Sequence, residues 1–168
     1  MTEILTFAPL VALLILAGGW DLASFTIPNF IQAGLILSFI AFALAAGFPL
    51  PVAADHLLAG FIGLAAGFTL FSLGYIGGGD AKLFACIALW LGVHDLLLYT
   101  LIASILGGGL TLGFIAMRRF PLPALLAQKQ WLARLHDAKS GIPYGVALAA
   151  GLFVILPQTQ IFQLVAGG

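Results

Sequence analysis

Two aspartates stand out in a chain that is almost free of charge. Asp21 closes a long apolar run, and Asp80 ends the glycine-rich stretch Gly74-Tyr75-Ile76-Gly77-Gly78-Gly79-Asp80-Ala81-Lys82. Beside hydrocarbon, an ionisable side chain is costly unless it is paired, hydrated or neutralised, which makes each aspartate a functional candidate. Two carboxyl groups brought within a few ångströms cannot both ionise, so such a pair holds one proton between them near neutral pH. One member can then take a proton from water while the other donates to a carbonyl or a leaving amine, the equipment for peptide hydrolysis. A second reading stays open from the residues alone, in which Asp21 and Asp80 cap helices or mark membrane boundaries. The glycines before Asp80 remove side-chain bulk and let the backbone leave a helical path. Lys82 does not share a helix face with Asp80 at a spacing of i and i+2. It reads first as a side chain snorkelling to the interface. Its functional reading is to hold the acidic site or to contact substrate backbone.

The elements that must position these residues are membrane helices. The chain has 168 residues, 62% hydrophobic and 7% charged, against about 25% charged in ordinary soluble domains. It is read as an integral membrane protein forming a single domain over residues 1–168. Strict alternation is absent and the apolar runs are too long for strands, which rejects a β-barrel. The fold class is therefore all-α, a polytopic bundle of six transmembrane helices. The expected spans cover about Ile4–Trp20, Phe30–Phe48, His56–Leu73, Lys82–Val93, Asp95–Met117 and Ile142–Leu164. A full crossing takes roughly 17–25 residues, which leaves the fourth short. The N-terminal Met1-Thr2-Glu3 lacks a basic lead-in, so the first apolar run reads as a retained span.

Five of the 6 basic residues, Arg118, Arg119, Lys129, Arg134 and Lys139, lie between the last two spans. Positive connections stay in the cytoplasm, which places the connection at about 118–141 inside. Counting back puts Asp21 and Asp80 at the cytoplasmic face, with Asp55, Asp95 and both termini outside. Asp137 reads as a solvated surface carboxylate. Within the connection, Leu125, Trp131, Leu132 and Leu135 suggest an interfacial amphipathic helix over Ala124–Leu135. Gly63 with Gly67, and Gly109 with Gly113, have the spacing that lets helices approach closely. The apolar composition implies the lipid bilayer as partner, and the formal net charge of zero implies neither nucleic acid nor a broad anionic surface. Cys86 is the only cysteine, so it reads as a small packed hydrophobe. His56, His94 and His136 fall in separate connections, and neither a metal nor another cofactor is expected.

The stretch Ile76-Gly77-Gly78-Gly79-Asp80-Ala81-Lys82-Leu83 resembles the GxGD signature of the intramembrane aspartyl proteases, in the form found in type IV prepilin peptidases. Asp21, followed by Ile27-Pro28-Asn29, is similar to that family's first catalytic element. Ile142-Pro143-Tyr144-Gly145, leading on to Gly151, looks like the last helix of its short members. The resemblance implies that Asp21 and Asp80 are the catalytic pair. It also implies that Gly77 and Gly79 shape the loop that presents Asp80, with Asn29 and Lys82 at the site. The implied substrates are prepilins or pseudopilins, cut after a glycine at the end of a short basic leader on the cytoplasmic side of a bacterial inner membrane. Many relatives carry basic residues between the first aspartate and Ile-Pro-Asn, whereas Leu22 to Thr26 are uncharged here. Bifunctional members also have paired CxxC motifs and methylate the product. Without those motifs, the resemblance implies a peptidase without N-methyltransferase activity, similar to the peptidases of tight-adherence (Flp-type) pili.

Two other classes remain as rivals. A small transporter or channel would use the acids to line an ion path, and calls for carboxylates or broken helices near the midplane. A non-catalytic subunit of a secretion assembly would use the glycines only for packing. Within the proteases, archaeal preflagellin peptidases and presenilin-like enzymes share GxGD, and the Ile-Pro-Asn element favours the bacterial group.

Overall fold

The computed structural model describes residues 2–123 and 128–167, and all regular structure among them is helical. The helices are α1 (Thr2–Ser24), α2 (Asn29–Ala45), α3 (Leu50–Ser72), α4 (Gly78–Met117), α5 (Gln130–His136), α6 (Tyr144–Ile155) and α7 (Gln160–Gly167). The chain is an all-α polytopic membrane protein. Three of its helices are long and apolar enough to cross a bilayer, or four when the bent pair at the C-terminal end counts as one. Large side chains face outward along them, Leu50, Leu97 and Leu112 being among the most exposed, as a hydrocarbon solvent allows.

Several element bounds differ from expectation, each for a physical reason. The first helix does not stop before Asp21 but runs on to Ser24, because that carboxylate finds a donor inside the bundle. The third begins at Leu50, not His56. Pro51 falls within its first turn, where a missing N–H costs nothing. The fourth begins at Gly78, inside the glycine run, with Gly77 as its N-cap. The last expected span is a bent pair, α6 and α7 meeting at 55° across the 3-10 turn Leu156–Gln158 that contains Pro157. Of the amphipathic segment expected over Ala124–Leu135, residues 124–127 lie outside the described residues, and the rest contributes to the short helix α5.

The fourth and fifth expected spans form one 40-residue element broken at Gly92, where φ is 75° and ψ is 173°. The chain reverses there. Phe84 stacks on Tyr99 with ring centroids 5.7 Å apart, whereas a straight helix would separate them by about 22 Å along its axis. The reversal is pinned by groups at the end of the bundle opposite Asp80. Asp55 Oδ2 accepts the Val93 N–H at 3.0 Å. His56 Nδ1 donates to the Leu89 carbonyl at 2.9 Å. Asp95 Oδ2 accepts the Gln160 N–H at 3.0 Å and so caps α7. The left-handed φ at position 92, with Asp55 Oδ2 only 2.7 Å from where a Cβ would sit, restricts the position to glycine.

Helices in lipid gain little from hiding apolar surface from one another, so close packing must hold them. On α3, a Cβ at Gly63 would lie 2.6 Å from Ala88 Cβ, and one at Gly67 would lie 2.9 Å from the Ala81 carbonyl oxygen. Small residues thus let α3 press directly on the first arm of α4. At the end away from Asp80, Trp90 fills the space between helices, its ring 5.4 Å from Phe42 and 5.6 Å from Phe39. Its Nε1 donates to the Leu35 carbonyl at 2.9 Å. The second expected glycine pair behaves differently, since nothing lies within 4 Å of a Cβ at Gly109 or Gly113. Gly63→Val is therefore expected to destabilise the bundle by about 1–3 kcal/mol, and Gly109→Val to be nearly neutral. Thermal unfolding in one detergent checks both, and equal midpoints would contradict the packing role of Gly63.

Candidate active site

Asp21 lies one turn before the end of α1 and is 3% exposed. Beyond it Phe25 turns the chain with a left-handed φ of 57°, a conformation that costs a non-glycine residue roughly 1–2 kcal/mol. The turn sends Ile27 inward and leaves Pro28 and Asn29 to start α2. Asp21 does not serve as a local cap. Its Oδ2 accepts the Gly145 N–H at 2.7 Å across 124 residues of sequence. Gly145 lies in the first turn of α6, where N–H groups have no helical partner and the helix dipole favours negative charge.

Asp80 is held from its own side. As the third residue of α4, it accepts the N–H of the N-cap Gly77 through Oδ2 at 3.2 Å, half of the reciprocal box that closes a helix start. Its Oδ1 is buried and has no hydrogen-bond partner among the described residues. Both aspartates line one cavity of about 290 Å³, together with Phe25, Asn29, Gly77 and Lys82. On its other side Asp80 reaches a mainly apolar pocket of about 200 Å³ that includes Phe84, Ser104 and Tyr144.

Ile27 is the wedge between the two acidic elements. A Cβ on Gly79 would approach its Cβ to 3.3 Å, and one on Gly145 would meet its Cδ1 and Asp21 Oδ2 at 2.8 Å each. Gly77 and Gly79 therefore act by different means, one donating to Asp80 and the other making room for Ile27. Lys82 approaches neither carboxylate at ion-pair distance. Its Nζ donates to Asn29 Oδ1 at 2.9 Å, which ties the starts of α2 and α4 at the cavity rim. The one contact of salt-bridge length among the described residues is His94–Asp95, an imidazole against a carboxylate at the opposite end. No three His, Cys, Asp or Glu side chains converge among the described residues.

Two residues at this site have roles that the sequence alone does not assign. Gly145 had a signal, since a glycine two residues after Pro143 falls in the first turn of a helix, where an anion is welcome. Ile27 had its place in the Ile27-Pro28-Asn29 element, but its part as a wedge was hidden, because such a residue looks like any other apolar one.

The fold and the cavity define an all-helical membrane protein with two buried carboxylates brought together at one end of the bundle. Residues 8–112 match the type IV leader peptidase family, and the chain belongs to that family. It is 34% identical over 153 residues to the prepilin leader peptidase/N-methyltransferase of Bacillus subtilis (strain 168), a match that takes in 84% of this chain and 59% of the relative. The chain thus spans about three-fifths of the length of that curated relative. No solved structure matches it.

The crowding at Gly145 generates a prediction that does not depend on activity. Gly145→Ala is expected to lower stability by about 1–3 kcal/mol, because the methyl group must displace Ile27 or Asp21. An unfolding midpoint equal to wild type would show that the first turn of α6 is not pressed against them.

Proposed function

We propose that this protein is a membrane aspartyl endopeptidase that removes the leader peptide of type IV or Flp-type prepilins, with Asp21 and Asp80 as its catalytic pair. The observation that carries the reading is one cavity lined by two buried aspartates from distant parts of the chain, in a member of the type IV leader peptidase family.

In the proposed mechanism a water molecule lies between the two carboxyl groups. The ionised member takes a proton from it as the oxygen attacks the scissile carbonyl carbon. The protonated member donates to the carbonyl oxygen, giving a neutral tetrahedral diol. Collapse of that intermediate breaks the C–N bond, and a proton passes to the departing amine. Asp80 Oδ1 has no competing partner among the described residues, which suits contact with water or with the carbonyl. Asp21 Oδ2 and Asp80 Oδ2 are each held by a backbone N–H, so both carboxyl groups are oriented before substrate arrives. No step calls for a metal ion.

The reading extends to topology. The basic residues between Met117 and Gly141 follow the arm of α4 that runs back past Asp80, so the positive-inside rule favours a cytoplasmic site. Six crossings, counting α2 and each arm of α4, suit that arrangement and leave both termini outside. The reading concerns hydrolysis and not N-methylation. A transporter is disfavoured because both acids sit at one end of the bundle and the acids at the other end, Asp55 and Asp95, are tied to backbone N–H groups.

The test is cleavage of a purified prepilin by the protein in lipid. Asp21→Asn and Asp80→Asn are each expected to slow cleavage by about 100-fold to 10,000-fold, the range of a lost general acid or base, and a chelator to leave wild type unaffected. Cleavage at the wild-type rate by either variant, at equal expression, would sink the assignment.

A further inference from the structure

A third cavity, of about 390 Å³, opens between α2, α3 and the first arm of α4. Its walls are apolar except at two places. Lys82 forms one end and also lines the aspartate cavity, so the two spaces adjoin. Gln32 lines the wall farther in, with both amide atoms covered by its neighbours. Gln32 is 6% exposed, and neither its Nε2 nor its Oε1 has a hydrogen-bond partner among the described residues. A buried carboxamide with both ends unpaired is costly in any protein, and more so where hydrocarbon replaces water. Apolar replacement there would relieve that cost, so its presence calls for a ligand that supplies both a donor and an acceptor.

We propose that this groove receives an extended segment of the peptide substrate next to the scissile bond, with the Gln32 carboxamide turning into the groove to pair with its backbone. The inference rests on the proteolytic reading above. A peptide bond must leave its helix to be attacked, and the freed N–H and C=O groups then need partners at membrane depth. Gln32 offers one donor and one acceptor in a plane, the complement of a peptide group. A lipid acyl chain offers neither. The groove runs from Lys82 to Leu89 along α4, about 10 Å at the rise of a helix, room for about three residues of extended chain. Phe61 and Leu64 of α3 form its outer wall and are exposed, which allows entry from the bilayer. Lys82 is fixed at the junction by Asn29, so the groove meets the aspartate cavity at a held position.

The experiment uses the full-length protein in lipid and a prepilin that carries both its leader and its apolar N-terminal helix. Gln32→Leu is expected to raise KM about tenfold, the loss of one or two hydrogen bonds, while its unfolding midpoint stays level or rises because an unpaired amide is gone. In an Asp80→Asn background, a Phe61→p-benzoylphenylalanine variant is expected to photo-cross-link to the prepilin. The same group at Leu112, exposed on the other arm of α4, should not. A higher KM accompanied by a lower midpoint would make Gln32 structural and overturn the proposal. So would wild-type KM in Gln32→Leu, or adducts at Phe61 with phospholipid only, and either result leaves the protease reading standing if wild type cleaves. Failure of wild type to cleave that prepilin overturns the protease reading and this inference with it.

Discussion

A carboxylate placed against hydrocarbon must be held by something, and here no cation among the described residues holds it. Asp21 is fixed by the Gly145 N–H at 2.7 Å, a bond that reaches from the end of α1 to the start of α6. Asp80 is fixed by the Gly77 N–H at the start of its own helix. Backbone donors at helix starts bring partial positive charge without adding a titratable neighbour. An ammonium in their place would favour two ionised carboxylates, against the shared proton that the proposed mechanism needs. Lys82, the one basic side chain lining the cavity, is instead engaged by Asn29.

That arrangement sets demands on the rest of the bundle. The N–H of Gly145 can reach Asp21 only if α6 comes close to α1, and a side chain at 145 would collide with Ile27 and Asp21. Asp80 can face Asp21 only if the start of α4 lies beside Ile27, which the missing side chain of Gly79 permits. The close contact of α3 with α4 through Gly63 and Gly67 then fixes the arm that carries Asp80. At the far end, the turn at Gly92 and its ties to Asp55 and His56 bring the second arm back alongside the first. Acids at the two ends of the bundle thus do different work. Those at one end secure a chain reversal and a helix start, and those at the other line a cavity.

The all-helical class was legible in composition, because 62% hydrophobic residues leave few ways to satisfy a backbone in lipid. The two aspartates were legible as well, since rarity of charge makes each one conspicuous. Helix ends were less legible. Leu50 and Gly78 begin helices that a hydropathy reading starts six and four residues later, because prolines and glycines are tolerated in a first turn. The reversal near Gly92 was legible as the boundary between the fourth and fifth expected spans, but the groups that pin it, Asp55 and His56, were not.

The sequence by itself determined the solvent, the helical class and which carboxylates could matter, because these follow from the cost of charge and of open backbone in hydrocarbon. It also determined the family, through residues at fixed spacing on either side of those carboxylates. Only the tertiary structure decided that Gly145 holds Asp21, that Ile27 wedges between two glycines, and that Gln32 lies unpaired beside a groove meeting the aspartate cavity. The reason is physical. Each of these is a contact between residues far apart in the chain, and such contacts depend on how helices pack, which a glycine or a glutamine in an apolar run does not disclose.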